Sequence, residues 1–309
     1  MTREPIVQTL QLTKRYGDKV ALDSLDLTVL AGEIYGFLGP NGAGKTTTIR
    51  LLLGLVSGTS GEVRIFGSPV RPGRADLRRV GAMVEQPGLY PHLTGAENLR
   101  AFAYMRGGRL SDDDVRVSLR SAGLGSDDRA KVRQYSAGMR QRLALALALG
   151  GTPSLLILDE PTDGLDPIGI VDIRATITSL AGRGTTVFLS SHLLSEVEKL
   201  CTRIGILVEG RLVREGSLAD IGRDAAQIVL EFVGAEVTDR ALRHLADLGF
   251  EAARGSSLLE AVLPENGTNV GAVTRALAGV GIEPRQVSVR QVSLENLFVG
   301  LARQPGGRP

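Results

Sequence analysis

Gly39-Pro40-Asn41-Gly42-Ala43-Gly44-Lys45-Thr46 is the stretch that decides the fold of this chain. It matches the phosphate-binding pattern G-x-x-x-x-G-K-[ST] and lies between a predicted buried strand, residues 33–38, and a predicted helix, residues 45–53. Glycines allow backbone N–H groups to turn inward around a polyphosphate, where any Cβ would block the approach. Lys45 can reach the β- and γ-phosphates, and the Thr46 hydroxyl can bind Mg²⁺. The loop, with Thr47 directly after it, therefore predicts a site for a nucleoside triphosphate.

Length and composition are those of a globular protein with more than one domain. The chain has 309 residues, of which 43% are hydrophobic and 23% charged, and its formal net charge is +2. That length allows one large domain and a smaller one. The charge is weak, and no basic run is interleaved with aromatic residues, so we expect no nucleic-acid partner. Cys201 is the single cysteine, which excludes an intrachain disulfide.

No segment of the sequence is predicted to cross a membrane. The longest apolar run, residues 143–158, is interrupted by Gly150-Gly151-Thr152-Pro153 and is too short to span a bilayer. Residues 1–5 lack the apolar core of a signal peptide.

The hydrophobic pattern predicts an α/β fold. Strand patterns that we assign to an antiparallel β layer occupy residues 6–12, 24–30, 61–67 and 80–84. The pattern is helical over about residues 87–150, with a capping box at Thr94 and Glu97, and buried strands return at residues 155–159, 186–189 and 204–208. We therefore predict a phosphate-loop NTPase core of the RecA-like type, with an antiparallel layer and a helical insertion, over residues 1–219.

Residues 220–309 are predicted to form a second, smaller domain. Their elements follow the order β-α-β-β-α-β, which is typical of a small ferredoxin-like α+β unit. Residues 293–302 read as a closing helix and residues 303–309 as a disordered tail. The domain carries no motif with catalytic chemistry, which favours a regulatory or assembly role.

Two carboxylates follow the apolar strand of residues 155–158. Asp159 can hold Mg²⁺ through water, as phosphate-loop enzymes require. Glu160 can polarise the attacking water as a general base. The alternative, an acidic turn without chemistry, does not account for the phosphate loop upstream.

Three further motifs complete a set. They are Tyr135-Ser136-Ala137-Gly138-Met139-Arg140-Gln141-Arg142, Asp163-Gly164-Leu165-Asp166 and Leu189-Ser190-Ser191-His192. With these motifs, residues 4–216 resemble the ATP-binding cassette (ABC) family, the nucleotide-binding subunits of ABC transporters. Residues 84–90 and the tail Ser293-Leu-Glu-Asn-Leu-Phe298 resemble the antibiotic, drug-resistance and bacitracin-type exporters of that family.

The resemblance implies roles for individual residues. Tyr16 matches the aromatic residue that stacks on adenine, although an isolated Tyr in a turn can also be structural. Gln86 matches the residue that joins the Mg²⁺ and water site to the membrane subunit. His192 matches the histidine that contacts the γ-phosphate, and Lys45 and Glu160 match catalytic positions. Asp163 to Asp166 match the family's D-loop.

The signature motif departs from the family's common form. Tyr135, Ala137 and Met139 replace the Leu, the first Gly and the Gln of Leu-Ser-Gly-Gly-Gln. Ser136 and Gly138 remain, and Ser136 is also a good N-cap for the next helix. In the family this capped terminus binds the γ-phosphate of the ATP that the partner subunit holds.

The sequence thus predicts an enzyme, an ATPase. It would bind ATP and Mg²⁺, dimerise with itself or a related cassette when ATP is bound, and drive a separate transmembrane permease. It would lie at the cytoplasmic side of the membrane and power export of antibiotics, drugs or peptides. A soluble ABC ATPase acting on nucleic acid or ribosomes is the alternative, but the paired cassettes or basic arm it predicts are missing from the sequence. A phosphate-loop kinase would leave Ser136 to Met139 and His192 without a role.

Overall fold

The structure is a computed structural model that describes residues 4–72, 77–85, 88–125, 129–150, 152–224, 227–255, 260–264 and 269–290. The chain divides into two compact units, Met1–Glu215 and Gly216–Arg308. The predicted helix at residues 293–302 and the tail after it lie outside the described residues, as does Gln86.

The first unit contains two sheets and a group of helices. Its strands are β1 (Pro5–Tyr16), β2 (Lys19–Leu30), β3 (Ile34–Leu38), β4 (Ser60–Ile65), β5 (Ser68–Pro69), β6 (Val80–Met83), β7 (Leu155–Leu158), β8 (Thr186–Ser191), β9 (Arg203–Val208) and β10 (Arg211–Ser217). Its helices are α1 (Lys45–Leu52), α2 (Gly95–Met105), α3 (Asp112–Ser121), α4 (Ala137–Leu149), α5 (Pro167–Gly182) and α6 (Leu194–Leu200). A 3-10 turn spans Val132–Gln134.

A six-stranded sheet of order β10-β9-β3-β8-β7-β6 forms the centre of this unit. Strand β3 pairs in parallel with β8 and β9, and β7 pairs in parallel with β6 and β8. All residues of β3, β7 and β8 are buried, which explains why these strands read as continuous apolar runs. Because the carboxyl ends of parallel strands lie at one edge of a sheet, the residues that follow β3, β7 and β8 meet there.

The sequence-based placement of residues 80–84 was wrong. We had assigned them to the antiparallel layer, but β6 joins the parallel sheet as the neighbour of β7. The antiparallel sheet instead has the order β2-β1-β4-β5. The physical reason is burial: Val80 and Met83 are 4% and 3% exposed, and a Cβ added at Gly81 would lie 2.2 Å from the carbonyl oxygen of Ala148. Only a strand covered by α4 fits this approach.

The helices α2, α3 and α4 pack around their own small core. Thr94 and Glu97 form the predicted capping box at the start of α2, and Ser111 with Asp114 forms another at the start of α3. The apolar residues that these helices share are Leu99, Val115, Leu119, Leu143 and Ala146. Since these hydrophobic contacts hold α4 against α2 and α3, the position of the α4 N-terminus is fixed by the packing of the three helices.

A buried polar network closes the other end of the parallel sheet. The Tyr35 hydroxyl donates to Glu215 Oε1 at 3.0 Å, and Arg203 Nη2 lies 3.1 Å from the same oxygen. Burial raises the pKa of the Tyr35 hydroxyl well above its usual range. Burial also raises the pKa of the Glu215 carboxyl, although the Arg203 guanidinium opposes that shift. The network ties β10 to the centre of the sheet.

The second unit is built around an antiparallel sheet. Its elements are α7 (Leu218–Asp224), β11 (Gln227–Glu231), α8 (Ala235–Asp247), β12 (Ala253–Arg254), β13 (Glu260–Pro264), α9 (Val270–Ala278) and β14 (Gln286–Arg290). The strand order is β12-β13-β11-β14, and β13 pairs antiparallel with β11 and β12, as β14 does with β11. Ile228, Leu230, Ala241, Leu245 and Leu277 belong to one buried core. This unit therefore has a hydrophobic core of its own. In the part of the chain that the structure describes, no helix is both long and apolar enough to cross a bilayer.

Candidate nucleotide site

The phosphate loop joins the end of β3 to the start of α1. Gly42 and Gly44 have φ values of +84° and +112°, a region that favours glycine. A Cβ added at Gly44 would lie 2.5 Å from the carbonyl oxygen of Ala21. The Lys45 side chain is only 6% exposed, and its Nζ donates to the carbonyl oxygens of Gly39 at 2.6 Å and Pro40 at 3.4 Å. The loop is thus tightly folded around its own lysine.

Three of the predicted site residues meet at the carboxyl edge of the sheet. Glu160 Oε1 lies 3.3 Å from Lys45 Nζ. Glu160 Oε2 lies 2.8 Å from His192 Nδ1 and accepts from the His192 backbone N–H at 3.2 Å. Each carboxylate oxygen of Glu160 therefore has a different partner, and these contacts fix the plane of the carboxylate.

Asp159 occupies a more enclosed position beside Glu160. The Ser190 hydroxyl donates to Asp159 Oδ1 at 2.6 Å, and the Glu160 backbone N–H donates to Ser190 Oγ at 3.0 Å. Ser190 therefore connects the two acidic residues. The sequence analysis quoted Ser190 within a motif but gave it no role, and its position two residues before His192 is the signal that was available.

The turn at Glu160 has an unusual backbone. Its φ is +47°, in the left-handed region that costs a non-glycine residue about 1–2 kcal/mol. The Asp163 backbone N–H donates to the Glu160 carbonyl at 3.1 Å, and Gln141 Nε2 donates to the carbonyl oxygens of Glu160 at 3.4 Å and Pro161 at 3.1 Å. Gln141 belongs to the signature motif, but the sequence pattern gives it no role, because nothing in that pattern shows which residue of α4 faces this turn.

A cavity of about 470 Å³ lies over these residues. Its lining includes Thr46, Glu85, Ala137, Arg140, Asp159 and Glu160. The predicted metal-binding residues Thr46 and Asp159 thus line one space together with Glu160. Ala137 of the signature motif also lines it.

The signature motif starts α4 as predicted. The Met139 backbone N–H donates to Ser136 Oγ at 3.2 Å, which confirms Ser136 as the N-cap. Gly138 packs beside Leu165, because a Cβ added at Gly138 would lie 3.2 Å from Leu165 Cδ2. Asp166 caps α5 by accepting from the Gly169 N–H at 2.8 Å. The segment of Asp163, Gly164, Leu165 and Asp166 therefore runs from the Glu160 turn past the start of α4.

Tyr16 lies apart from this cavity, at the end of β1. Its ring is 45% exposed, and Lys14 Nζ lies 4.7 Å from the ring centroid. Lys14 Nζ also donates to the Ser57 carbonyl at 2.7 Å. The lysine thus covers one face of an otherwise accessible ring.

Comparison with known proteins shows the family of this chain. The family model described as ABC transporter matches residues 22–163. The bacitracin transport ATP-binding protein BcrA of Bacillus licheniformis is 50% identical over 214 residues, which cover 68% of this chain and 69% of that protein. The chain belongs to the ABC transporter ATP-binding proteins. The daunorubicin resistance ATP-binding protein DrrA3 of Streptomyces coeruleorubidus is 38% identical over 295 residues, 93% of each chain. This ABC protein therefore has relatives that match both of its units.

Solved ABC structures share the fold of the first unit. An ATP-binding subunit of an ABC transporter superposes with a TM-score of 0.64 at 31% identity and covers 71% of this chain and 92% of its own. A dimeric ATP-binding cassette bound to ADP and Pi in a post-hydrolysis state gives a TM-score of 0.62 at 29% identity, over 69% of this chain and 99% of its own. The protein is accordingly an ABC ATPase, an enzyme that binds and hydrolyses ATP, and the cassettes of its family form dimers.

Proposed function

We propose that this protein is the ATP-hydrolysing subunit of an exporter of antibiotics, drugs or peptides, and that it drives a separate membrane permease. The support for the cargo class comes from relatives that are named for bacitracin transport and daunorubicin resistance. The support for the chemistry is the Glu160 carboxylate, which lies 3.3 Å from Lys45 Nζ and 2.8 Å from His192 Nδ1.

In the proposed mechanism, Glu160 is the general base. Lys45 binds the β- and γ-phosphates as a point charge, and the Glu160 carboxylate lies within 3.3 Å of its Nζ. A water molecule beside the γ-phosphate would lose its proton to Glu160 as its oxygen bonds to phosphorus, and the bond from phosphorus to the β,γ-bridging oxygen would break to release ADP. His192 Nδ1 lies 2.8 Å from the other carboxylate oxygen, and His192 would contact the γ-phosphate. The remaining backbone N–H groups from Gly39 to Thr47 would surround the phosphates, and Tyr16 would stack on adenine through the face that Lys14 leaves open.

The residues present fit a magnesium ion. Thr46 and Asp159 contribute a hydroxyl and a carboxylate to the same cavity, and these hard oxygen donors are the ligands that Mg²⁺ prefers. Thr46 would bind the ion directly, Asp159 would hold it through water, and Gln86 is predicted as a further ligand. When bound, the ion would neutralise charge on the β- and γ-phosphates.

Two copies of the chain are proposed to share each ATP. Ser136 caps a helix whose N–H groups at Ala137 and Gly138 would bind an anion from a partner cassette. The Asp163–Asp166 segment would lie at the same interface. The pair can be two identical chains or this chain with a related cassette.

The partner in the membrane is proposed to dock between α2 and the edge of the parallel sheet. A cavity of about 720 Å³ there is lined by apolar side chains that include Leu53, Leu55, Met83, Leu89 and Phe102. Leu55 is 62% exposed, and an apolar groove of this size suits an amphipathic helix. Binding of a permease here would hold the chain at the cytoplasmic side of the membrane.

The second unit is proposed to be a ferredoxin-like domain with a regulatory or assembly role. The strand order β12-β13-β11-β14 and the connections through α8 and α9 support this assignment. The unit would correspond to the predicted domain of residues 220–309, separate from the ATPase domain of residues 1–219.

Mixed dimers test the shared site. A Lys45→Ala chain and a Ser136→Arg chain should each be inactive alone. Together they should regain ATP hydrolysis, because a mixed dimer has one intact site. The Ser136→Arg chain supplies Lys45 and Glu160 to that site, and the Lys45→Ala chain supplies Ser136. The measurement is phosphate release from the purified full-length chains after mixing. Failure to regain activity in mixtures that demonstrably contain mixed dimers would contradict a shared site.

Photo-crosslinking tests the membrane partner. A photoreactive amino acid at Leu89, which lines the apolar groove, should form an adduct with an integral membrane protein in cells. The same amino acid at Leu10, which is 44% exposed on the antiparallel sheet, should not form that adduct. Adducts at Leu89 with soluble proteins alone would contradict docking in this groove.

A further inference from the structure

Gln141 joins the signature helix to the catalytic turn. It lies on α4, five residues after the N-cap Ser136. Its Nε2 donates to the carbonyl oxygens of Glu160 at 3.4 Å and Pro161 at 3.1 Å. A side-chain amide nitrogen carries two hydrogens, so one Gln141 side chain can serve both carbonyl groups.

The turn that Gln141 contacts needs external support. Glu160 is in the left-handed backbone region, which is populated by a non-glycine residue only where surrounding contacts enforce it. Ser190 Oγ accepts from the Glu160 N–H, and Gln141 and Asp163 donate to the Glu160 carbonyl oxygen. These bonds decide where the Glu160 carboxylate points, because the side chain leaves the backbone at the restrained residue.

Arg142 of α4 makes a contact of a different kind, an ion pair with α5. Arg142 Nη2 lies 3.8 Å from Asp172 Oδ2 on α5, and the Asp172 side chain is 51% exposed. An ion pair that long and that exposed contributes little to stability. It also touches neither Glu160 nor Pro161. Among the contacts described, Gln141 is therefore the α4 side chain that hydrogen-bonds to the catalytic turn of Glu160 and Pro161.

We propose that Gln141 is a positioning residue that holds the turn of Glu160 against the signature helix of the same chain. This inference rests on the proposed function, in which α4 binds the ATP held by the partner while Glu160 acts on the ATP held by its own chain. Gln141 then connects the two composite sites of the dimer. The two Gln141 bonds set the backbone of the Glu160 turn in its own site, whether or not the N-terminus of the same α4 engages a nucleotide.

The mixed dimer with one intact site separates this role from a structural one. Gln141→Met removes both donors and keeps the length of the side chain. On the Ser136→Arg chain, which supplies Glu160 to the intact site, we expect ATP hydrolysis to fall about tenfold or more, since small misplacements of catalytic groups cost that much. On the Lys45→Ala chain, which supplies only Ser136, we expect activity within about twofold of the mixed dimer without this change.

Binding of a non-hydrolysed ATP analogue provides the second readout. The Kd of the Gln141→Met chain, with Lys45 and Ser136 intact, should match wild type, because neither Gln141 bond reaches the phosphate loop. Gln11→Met is the matched control, since it also removes a glutamine side-chain bond, to Asp26 on the antiparallel sheet, and it should leave both binding and hydrolysis unchanged.

The outcomes distinguish this inference from the proposed function. The reference mixed dimer is the Lys45→Ala and Ser136→Arg pair without Gln141→Met. Suppose that this reference is active. If Gln141→Met then lowers hydrolysis equally on either chain, or only on the chain that supplies Ser136, Gln141 acts through the signature helix and the inference is wrong. If it has no effect on either chain, the inference is wrong as well. If the reference mixed dimer itself is inactive, the shared site of the proposed function fails instead.

Discussion

Glu160→Gln is expected to lower ATP hydrolysis by about 100-fold or more while ATP still binds. A carboxamide keeps the shape of the side chain but cannot accept the proton of the attacking water, and a general base contributes roughly 10²- to 10⁴-fold. The bound ATP should then hold two chains together, giving a long-lived dimer that elutes early in size-exclusion chromatography with ATP and Mg²⁺ and reverts to monomer without them.

The contact between Glu160 and Lys45 adds a second expected effect. Glu160 Oε1 lies 3.3 Å from Lys45 Nζ, so the carboxylate competes with a phosphate for the same ammonium group. Glu160→Gln removes that competing charge, and the affinity for a non-hydrolysed ATP analogue should rise. Glu62→Gln, at an exposed pair with Arg64 on β4, is the control and should change neither quantity. Hydrolysis at the wild-type rate in the Glu160→Gln protein would contradict the base assignment.

Local rules were sufficient to predict much of the ATPase unit. The phosphate loop, the capping box at Thr94 and the N-cap at Ser136 each depend on residues within seven positions of one another. The hairpin between β9 and β10 also follows a local rule, because Glu209 and Gly210 both have positive φ values. Such features can be read from a short stretch of sequence.

Contacts between distant parts of the chain could not be predicted in the same way. Ser190 reaches Asp159 across 31 positions, and Gln141 reaches Glu160 across 19. Both depend on the order of strands in the sheet and on the rotation of α4 about its axis. The error at residues 80–84 has the same origin, since a short apolar strand does not show which of two sheets it joins.

The altered signature motif illustrates what a sequence comparison alone cannot decide. Met139 replaces a glutamine of the common form, and its side chain packs against the core shared by α2, α3 and α4. Its backbone N–H still donates to Ser136. The helix cap therefore does not depend on whether residue 139 is Met or Gln, because the bond to Ser136 comes from the backbone N–H of that residue.

Lys45→Ala is expected to weaken binding of a non-hydrolysed ATP analogue by roughly 100-fold, since hydrogen bonds to charged groups contribute about 1.5–3 kcal/mol. Lys45 is nearly buried and lies between the carbonyl oxygens of the loop and Glu160. The measurement is the Kd from equilibrium binding. Lys199→Ala, at a side chain that is 58% exposed and pairs with Glu196, is the matched control and should bind as tightly as wild type.

The size of the Lys45→Ala effect should depend on Glu160. Without the ammonium group, the Glu160 carboxylate loses its lysine partner in the cavity that receives the phosphates, and its negative charge repels them. In a Glu160→Gln background this repulsion is gone, so Lys45→Ala should cost less affinity there, by about tenfold. The four Kd values of the double-mutant cycle measure this coupling directly. Equal losses in the two backgrounds would mean that the two charges act independently, and the 3.3 Å contact would then have no part in nucleotide binding.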